Sequence, residues 1–282
     1  MIVVTGATGN VGRSLVRILV GAGEPVTATS RSVGEAELPE RVVRKAADLI
    51  DAESLRPVLD GADALFLQDG GPSAHRLDPA HLVDVAKAGG VRRIVLLSSQ
   101  GVATRPGSAS HGEVARSIED AVRQSGLEWT VLRPGGFASN TYAWAESVRT
   151  ARTVTAPFGD VGLPVVDPDD IAAVAAAALR AGGQHAGQVY ELTGPALVTP
   201  RQQAAAIGAA LGEPVRFIEQ SRDEARAQML RFMPEPVVDT TLDILGAPNP
   251  AELRISPDTE LVLGRAPGTY GDWARRNVGA FR

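Results

Sequence analysis

Near its start the chain reads Ile2-Val3-Val4-Thr5-Gly6-Ala7-Thr8-Gly9-Asn10-Val11-Gly12, an apolar run followed by glycines at every third position. The apolar run predicts a strand, and the glycines predict a tight turn into a helix. The first turn of a helix carries unpaired backbone N–H groups and a partial positive charge, and both favour an anion. Gly6 is expected to form the turn, Gly9 to let a pyrophosphate approach the backbone, and Gly12 to let the helix lie close to the strand. The segment therefore predicts a dinucleotide-binding site.

The residues that follow complete a β-α-β unit. A helical period of apolar residues runs from Val11 to Leu19 and ends near residues 21–23, and Val26–Ser30 is predicted to be a second strand. The unit spans about 30 residues, which is the usual length of a β-α-β motif. This context favours a nicotinamide dinucleotide over the alternative, a structural glycine turn without a ligand.

Composition narrows the class of protein. The 282 residues are 44% hydrophobic and 22% charged, as in an ordinary globular protein. A net charge of −5 argues against binding to nucleic acid or to an anionic membrane surface. The absence of cysteine excludes disulfides, thiolate catalysis and cysteine-held metals. No apolar run approaches the roughly 20 residues of a membrane span, and the chain begins in a strand without a secretion signal, so we expect a cytoplasmic protein.

Strand and helix patterns alternate through the first half of the chain. Further strands are predicted at 42–43, 64–67, 93–97, 129–132 and 189–192, and helices at 51–59, 78–87 and 112–124. The strand at 93–97 is continuously apolar, as expected for a strand that is buried on both faces. The alternation predicts a parallel sheet covered by helices on both faces, with ligands at the carboxyl ends of the strands.

The pattern becomes less regular after Pro134. Residues 135–137 and 140–144 are predicted to form a loop and a pocket wall. Asp167 and Thr199 are expected to cap helices, and further helices are predicted at 222–232 and 270–278.

The predicted fold class is thus α/β, a Rossmann doubly wound parallel sheet with a smaller, mainly helical C-terminal substrate domain. We expect residues 1–150 to form the Rossmann domain and 161–194 to return to its sheet. Residues 195–282 are expected to form the substrate-binding or lid domain, with a contribution from 138–160.

Motifs along nearly the whole chain carry a resemblance to a known family. They lie, in order, at 5–12, 48–49, 61–66, 97–99, 126–134, 167–171, 190–195 and 273–275. With these motifs the chain resembles an NmrA-like member of the atypical short-chain dehydrogenase/reductase superfamily. The resemblance implies a Rossmann domain that binds NAD(P), a small C-terminal substrate domain, and either reductase activity or a redox-sensing role. Triphenylmethane-dye reductases and some NAD(P)H:quinone oxidoreductases are similar in plan.

The end of the second predicted strand indicates which dinucleotide is bound. An acidic residue there would bind the ribose 2′-hydroxyl of NAD, but the chain has Thr29, Ser30, Arg31 and Ser32 instead. Arginine holds a phosphate in a bidentate manner, and serine hydroxyls add hydrogen bonds. We therefore predict NADP(H) rather than NAD(H); the alternative is that Arg31 is a solvated surface charge.

Other predicted cofactor contacts follow from the strand ends and from the resemblance. The resemblance implies that Asp48 lies near the adenine, although Asp48 also suits a cap for the helix that begins near Asp51. Residues 68–71 are expected to pass along the ribose and diphosphate. The predicted cofactor-binding residues are Gly6, Thr8, Gly9, Asn10, Val11, Gly12, Ser30, Arg31, Asp48, Gln68, Ser98 and Pro134.

The catalytic position departs from the wider superfamily that the chain resembles. There a Ser–Tyr–Lys set acts, with tyrosine donating the proton and lysine one helical turn later lowering its pKa. Counting back from Glu119 and Gly126, which fit the family's spacing, the tyrosine position is His111 and the lysine position is Ala115.

Three functions remain open at this point. A reductase with a relaxed mechanism would take a proton from water or from His111, with Ser98 or Ser99 orienting the substrate. A non-catalytic NADP(H)-binding redox sensor is the second, and a non-redox enzyme on a cyclic intermediate is the third. The predicted catalytic residues are His111, Ser98 and Ser99; His111 also suits a helix cap, where the helix dipole would lower the pKa of its imidazole.

The substrate pocket is predicted where the fourth, fifth and sixth strands end. Its walls would come from 70–72, 99–101, 135–137 and 140–144, with Phe137, Asn140, Tyr142 and Trp144 as substrate residues. Their aromatic character suits a small hydrophobic or aromatic substrate, although interdomain packing explains it equally well. Met229, Phe232 and Met233 are candidates for a lid. Arg133 is expected to be structural, with a substrate carboxylate as the alternative; no metal site is implied, and we expect a monomer or a homodimer.

Overall fold

A computed structural model describes residues 1–35, 37–68 and 71–282. The strands are β1 Ile2–Thr5, β2 Val26–Ser30, β3 Val43–Ala46, β4 Ala64–Gln68, β5 Arg93–Leu97, β6 Glu128–Pro134, β7 Thr153–Pro157, β8 Gln188–Leu192 and β9 Arg216–Gln220. Seven of them form the main sheet in the order β3-β2-β1-β4-β5-β6-β8, in which every neighbouring pair is parallel, and β7 and β9 form a second sheet. This is the predicted Rossmann arrangement.

Helices cover both faces of the main sheet and build the C-terminal part. The α-helices are α1 Asn10–Gly21, α2 Arg56–Leu59, α3 Pro79–Ala88, α4 Gly101–Thr104, α5 Val114–Gln124, α6 Ala145–Ala151, α7 Pro168–Arg180, α8 Pro200–Leu211, α9 Arg222–Met229, α10 Glu235–Gly246, α11 Asp258–Leu263 and α12 Tyr270–Arg276. Short 3₁₀ turns lie at Val33–Glu35, Ala52–Leu55, Gly71–Arg76, Ala138–Trp144 and Val278–Phe281, and a π turn at Ala109–Glu113. None of the helices described has both the length and the apolar character needed to cross a membrane.

The main sheet is buried on both faces because its strands carry apolar side chains on both faces. Val4 and Phe66 point into a core shared with α1 and α7, whereas Val3 and Leu65 point into a core shared with α3 and α5. Side chains alternate between the faces of a strand, so two separate cores require continuous apolar strands. The apolar β5 fits this requirement, as its sequence predicted.

The direction of winding reverses at β1, which pairs with β2 on one side and with β4 on the other. A crevice forms at the carboxyl ends of the two strands that flank such a reversal, and ligands of open α/β sheets bind there. The glycine turn that follows β1 opens into this crevice.

The C-terminal part contains more strand than the sequence predicted. β7 and β9 form a parallel pair with the register Thr153–Arg216 to Pro157–Gln220, and neither strand was predicted. Helices α10 and α11 were also missed, and the segment 138–144 forms a 3₁₀ turn where a loop was expected. Tyr142 and Trp273 pack in a separate core of this region, with ring centroids 5.2 Å apart. The division into two domains stays a prediction.

Candidate cofactor and substrate site

The turn after β1 has the close packing that the glycine spacing predicts. Gly6 has a φ of +58°, which favours glycine, and its carbonyl accepts a 2.9 Å hydrogen bond from the Gly9 N–H. A Cβ on Gly12 would lie 2.2 Å from the carbonyl oxygen of Gly6, so only glycine fits between α1 and the turn. A Cβ on Gly9 would meet that oxygen at 3.3 Å. Gly6 and Gly12 thus shape the turn, and Gly9 leaves its surface open.

Helix α1 begins next to this turn without a capping side chain. Gly9 is its N-cap and offers no side-chain hydrogen bond. The N–H groups of the first helical turn have no intrahelical partner, so they remain available to an anion. The Asn10 side chain points elsewhere and donates a 3.0 Å hydrogen bond to the Ser139 hydroxyl. Val11 lies on the buried face of α1.

A single pocket joins the glycine turn to the ends of β2, β3 and β4. It is lined by Thr5, Gly6, Thr8, Gly9, Thr29, Ser30, Arg31, Ser32, Ala47, Asp48, Leu49, Ile50, Leu55, Gln68 and Leu77. Seven of the predicted cofactor residues therefore come together: Gly6, Thr8, Gly9, Ser30, Arg31, Asp48 and Gln68. The others, Asn10, Val11, Gly12, Ser98 and Pro134, lie outside its lining. Sequence reasoning missed the apolar wall formed by Leu49, Ile50, Leu55 and Leu77; Leu49 lies in the motif at 48–49 but was not predicted as a pocket residue, and the other three belong to no motif.

The end of β2 has polar groups without partners inside this pocket. The hydroxyl oxygens of Thr29 and Ser30 are buried, yet no described residue hydrogen-bonds to either of them. Arg31 is exposed at the pocket rim, and within the described part of the chain no carboxylate pairs with its guanidinium. Buried hydroxyls normally have a hydrogen-bond partner. The pocket therefore fits a ligand that carries an anionic, hydrogen-bonding group.

Hydrogen bonds fix the backbone around Asp48 and Gln68, which both line the pocket. The Asp48 carboxylate accepts a 3.1 Å hydrogen bond from the Ile50 N–H, and this contact shapes the loop after β3. It does not cap the helical turn at Ala52–Leu55, whose N-cap is Asp51. The Gln68 N–H donates to the Thr5 hydroxyl over 3.1 Å, which ties the end of β4 to β1.

Ser98 and Ser99 follow β5 but have different environments. Ser98 is buried, and its hydroxyl donates a 2.6 Å hydrogen bond to Glu119. Ser99 is half-buried, and its oxygen accepts a 3.1 Å hydrogen bond from the Gly101 N–H. Because β4 and β5 pair Gln68 with Leu97, both serines lie just beyond the level of the pocket-lining Gln68.

Glu119 is a buried carboxylate at the centre of a cationic cluster. Arg133 donates to both of its oxygens, over 2.8 and 2.6 Å, and Arg123 donates over 3.0 Å. Burial raises the pKa of Glu119, but the hydrogen bonds from Arg133 and Ser98 and the charge of Arg123 outweigh burial and hold the pKa below its usual range. The structural role predicted for Arg133 is thereby explained.

His111 lies in the π turn before α5 and faces α10. Its Nδ1 is 2.9 Å from the Ser110 hydroxyl, and its Nε2 is 3.4 Å from the Thr241 hydroxyl. Burial lowers the pKa of His111, the Arg105 guanidinium lowers it further, and Glu252 opposes them. The predicted lowering of the pKa thus has burial as its main cause and the charge of Arg105 as a second. The contact with α10 was not predictable, because that helix was missed.

The predicted substrate residues lie in separate surroundings. Phe137 packs against the main core, and Asn140 is exposed. Tyr142 donates a 2.7 Å hydrogen bond to Asn277, and Trp144 packs with it in the C-terminal core. Gly70 of the predicted wall lies outside the described residues, as do Asp69 and Gly70 of the segment expected to pass along the ribose and diphosphate. Across the ranges that are described, no cluster of three or more His, Asp or Glu side chains is arranged to hold a metal ion.

Comparison with protein families gives a match over residues 6–181 to the model described as NAD(P)H-binding. The chain is 36% identical to the (4-alkanoyl-5-oxo-2,5-dihydrofuran-3-yl)methyl phosphate reductase of Streptomyces griseus, covering 100% of this chain and 99% of the relative. It is 33% identical to the NAD(P)H azoreductase of Xenophilus azovorans, again covering 100% of this chain and 99% of the relative.

Solved structures share the fold over nearly the whole length. The NADPH-dependent quinone oxidoreductase 2 of Escherichia coli is 25% identical, with a TM-score of 0.76 and coverage of 98% of this chain and 99% of that chain. NmrA, a negative transcriptional regulator solved in complex with NADP, has a TM-score of 0.75 at 19% identity, covering 99% of this chain and 95% of that chain.

Proposed function

The chain belongs to the NAD(P)H-binding family, and from that premise we propose that it is an NADPH-dependent reductase of small conjugated acceptors. The observation that carries the proposal is the pocket in which the glycine turn lies together with Arg31, whose guanidinium pairs with no carboxylate among the described residues. The glycine turn and the start of α1 would hold the pyrophosphate. The same pocket would hold the adenosine half against Asp48 and the apolar wall.

The preference for NADPH rests on the end of β2. Two groups there, the Arg31 guanidinium and the buried hydroxyl of Ser30, have no partner among the residues that the structure describes. A ribose 2′-phosphate would pair with the first and accept a hydrogen bond from the second. An acidic side chain, which would favour NADH by repelling that phosphate, is absent from 29–32.

The acceptor class is supported by what the relatives are named for. One is named for reducing a dihydrofuranone phosphate, another for azo compounds, and the structural neighbour for quinones. Each of these acceptors has a conjugated system that spreads the charge left by a hydride. We infer that this chain reduces a quinone, an unsaturated lactone or ketone, or a similar aromatic acceptor.

Reduction of such acceptors does not require the tyrosine and lysine of the superfamily, whose positions are occupied here by His111 and Ala115. When bound, the nicotinamide supplies a hydride. A delocalised anion is neutralised by water or a weak acid, so a strong proton donor held by a lysine is not required. In this mechanism His111 is the candidate weak acid, and Ser98 and Ser99 are the candidates that orient the acceptor.

The test is NADPH oxidation with a quinone, an unsaturated lactone and an azo dye, repeated with NADH. We expect turnover of at least one acceptor and a preference for NADPH. Tight NADPH binding without turnover of any acceptor would contradict the reductase.

A second candidate function is a non-catalytic NADP(H)-binding sensor. It is favoured by Ala115, which occupies the lysine position, and by the ring of His111, whose two nitrogens both face hydroxyl groups of the protein. A sensor would bind NADP⁺ and NADPH with different affinities and would bind a protein partner in only one of the two states. Equal binding of a partner in both states would exclude it.

A further inference from the structure

A second cavity lies apart from the cofactor pocket, between helices α1, α7 and α12. Its volume is about 410 Å³, which is enough for a small metabolite. None of its lining residues belongs to the pocket that contains the glycine turn. The cavity is lined by Asn10, Arg13, Ser14, Arg17, Ser139, Tyr142, Asp167, Pro168, Asp169, Trp273, Arg276 and Asn277. The reduction proposed above uses none of its charged residues.

The two carboxylates of the second cavity already have partners. Asp167 is buried, accepts a 3.0 Å hydrogen bond from the Asp169 N–H and forms an ion pair with Arg276. The Asp169 carboxylate accepts a 2.5 Å hydrogen bond from the Ser14 hydroxyl and lies 3.5 Å from Arg276. Both acids are therefore engaged with groups other than the two remaining arginines of the cavity.

Those two arginines, Arg13 and Arg17, lie one helical turn apart on α1. The Arg13 guanidinium donates a 2.9 Å hydrogen bond to the Thr8 carbonyl, and that of Arg17 donates over 2.9 Å to the Ser14 hydroxyl. No carboxylate in the described part of the chain forms an ion pair with either of them. A guanidinium has five N–H donors, so each side chain is held by a protein contact and keeps donors for a ligand.

This arrangement opposes the local rules of helix stability. Like charges at positions i and i+4 destabilise a helix, and a cation near the start of a helix opposes the partial positive charge there. Arg13 is the fourth residue of α1, and the first turn contains no acidic residue that would compensate it. Such departures are expected at functional sites rather than in the scaffold. An oxyanion between the two guanidinium groups would remove both costs.

The lining indicates the chemical class of the ligand. Each guanidinium matches the paired oxygens of a carboxylate or phosphate, and two of them one turn apart suit a double negative charge. The rest of the wall includes the amides of Asn10 and Asn277 and the ring of Tyr142. These groups fit the neutral, polar part of a small molecule.

We propose that the second cavity binds a small dianionic metabolite through Arg13 and Arg17, with the charge carried by phosphate or carboxylate oxygens. The site goes beyond the proposed function and does not depend on it, because a protein that only senses NADP(H) would bind the same ligand. NADPH is itself a polyanion, so the site must remain accessible when the cofactor is bound.

The test is an NMR titration of the NADPH-saturated protein with inorganic phosphate at pH 8 and, separately, with malonate, at constant ionic strength. Trp273 lines the second cavity, whereas Trp129 packs under Arg123 and lies outside the lining. We expect the indole N–H resonance of Trp273 to move in a saturable way with at least one anion while that of Trp129 stays in place. The anion that binds more tightly distinguishes phosphate from carboxylate recognition.

Variants identify the residues that bind the anion. Arg17→Gln removes a charge-assisted hydrogen bond and should weaken the affinity by at least about 10-fold. Arg216→Gln is the matched control, because Arg216 is exposed and lines neither cavity, and its affinity should equal that of the wild type. Equal weakening by both variants, or no movement of the Trp273 resonance with either anion, would overturn the proposal. Movement only in the NADPH-free protein would assign the arginines to the cofactor and would also overturn it.

A second readout separates a binding arginine from a structural one. In a buffer without phosphate or carboxylates, Arg17→Gln removes one of two like charges and should keep or raise the melting temperature. Added malonate or phosphate should raise the melting temperature of the wild type more than that of Arg17→Gln, because a ligand stabilises the folded state that binds it. A clear fall of the melting temperature in the anion-free buffer would show that Arg17 belongs to the scaffold, and the proposal would be wrong.

Discussion

Arg133 makes two hydrogen bonds to Glu119, 2.8 Å from Nε and 2.6 Å from a terminal nitrogen, and so joins β6 to α5. Only 2% of the Glu119 side chain and 16% of the Arg133 side chain are exposed. The pair lies directly beneath Ser98, which donates to the same carboxylate. The segment that carries the candidate catalytic serines therefore depends on one buried charge.

Glu119→Gln should destabilise the fold. Removing one partner of a buried ion pair costs about 3 kcal/mol, since the remaining charge is left without compensation. The control is Glu128→Gln, which breaks the half-exposed pair with Arg93 and should cost under about 1 kcal/mol. Urea denaturation of both variants measures the difference, and equal losses would show that burial of the pair is unimportant.

The same substitution should change the response to acid. The folded pKa of Glu119 is lowered, so its stabilisation is present above the unfolded value of 4.5 and is lost as the pH falls through the folded pKa. We expect the free energy of unfolding of the wild type to fall more steeply below pH 4.5 than that of Glu119→Gln. Other carboxylates contribute equally to both proteins, so parallel curves would contradict this assignment.

Alanine substitutions of Gly9 and Gly12 should affect different properties, NADPH affinity in the first case and the stability of the fold in the second. The Cβ of Gly12→Ala would lie 2.2 Å from the Gly6 carbonyl oxygen, and the backbone on both sides must move. We expect a loss of about 1–3 kcal/mol in stability from this overpacking. The Cβ of Gly9→Ala would meet the same oxygen at 3.3 Å, which a small shift relieves, but its methyl faces the pocket.

Gly9→Ala should therefore keep a near-normal melting temperature and bind NADPH more weakly. Thermal melts and fluorescence titration with NADPH measure the two effects. If Gly9→Ala lost stability while retaining affinity, the assignment of Gly9 to the pyrophosphate would be wrong.

His111 should titrate below its usual range. Burial and Arg105 lower its folded pKa, so the unfolded chain binds more protons between that value and 6.5. The contribution of His111 therefore reduces stability as the pH falls below 6.5 and has no effect above it. NMR titration of the ring protons should give a midpoint under 6.5, with His111→Gln identifying the resonance; a midpoint above that value would contradict the burial argument.

Local signals in the sequence were sufficient to predict the main sheet. Continuous apolar runs such as Ile94–Leu97 are buried on both faces, and the glycine turn after β1 has a steric requirement that only glycine meets. These features depend on neighbouring residues alone. The prediction of a parallel sheet with ligands at the carboxyl ends of its strands followed from them.

The sequence carries no comparable local signal for the C-terminal part or for the surroundings of the candidate catalytic residues. Strand Arg216–Gln220 is largely exposed and pairs with Thr153–Pro157, so its structure depends on a partner distant in sequence. Helix Glu235–Gly246 has no capping side chain, which removes the usual start signal. The surroundings of His111 depend on that helix and were therefore not predictable.

Arg31 should control the choice between NADPH and NADH. Its guanidinium is exposed at the pocket rim, and the preceding residue, Ser30, has a buried hydroxyl to which no described residue hydrogen-bonds. A charge-assisted hydrogen bond contributes about 1.5–3 kcal/mol, so Arg31→Gln should weaken NADPH binding by roughly 10- to 100-fold. Affinity for NADH should stay unchanged, because NADH has no 2′-phosphate to lose contact with.

Arg41→Gln is the matched control, since Arg41 is an exposed arginine of the same region that does not line the pocket. It removes the same charge and so accounts for any long-range electrostatic effect on a polyanionic ligand. Equilibrium titrations of both variants with NADPH and NADH give four affinities. Equal weakening of NADPH binding by the two variants would mean that Arg31 acts only as a solvated surface charge, and the assignment of the 2′-phosphate to the end of β2 would then be wrong.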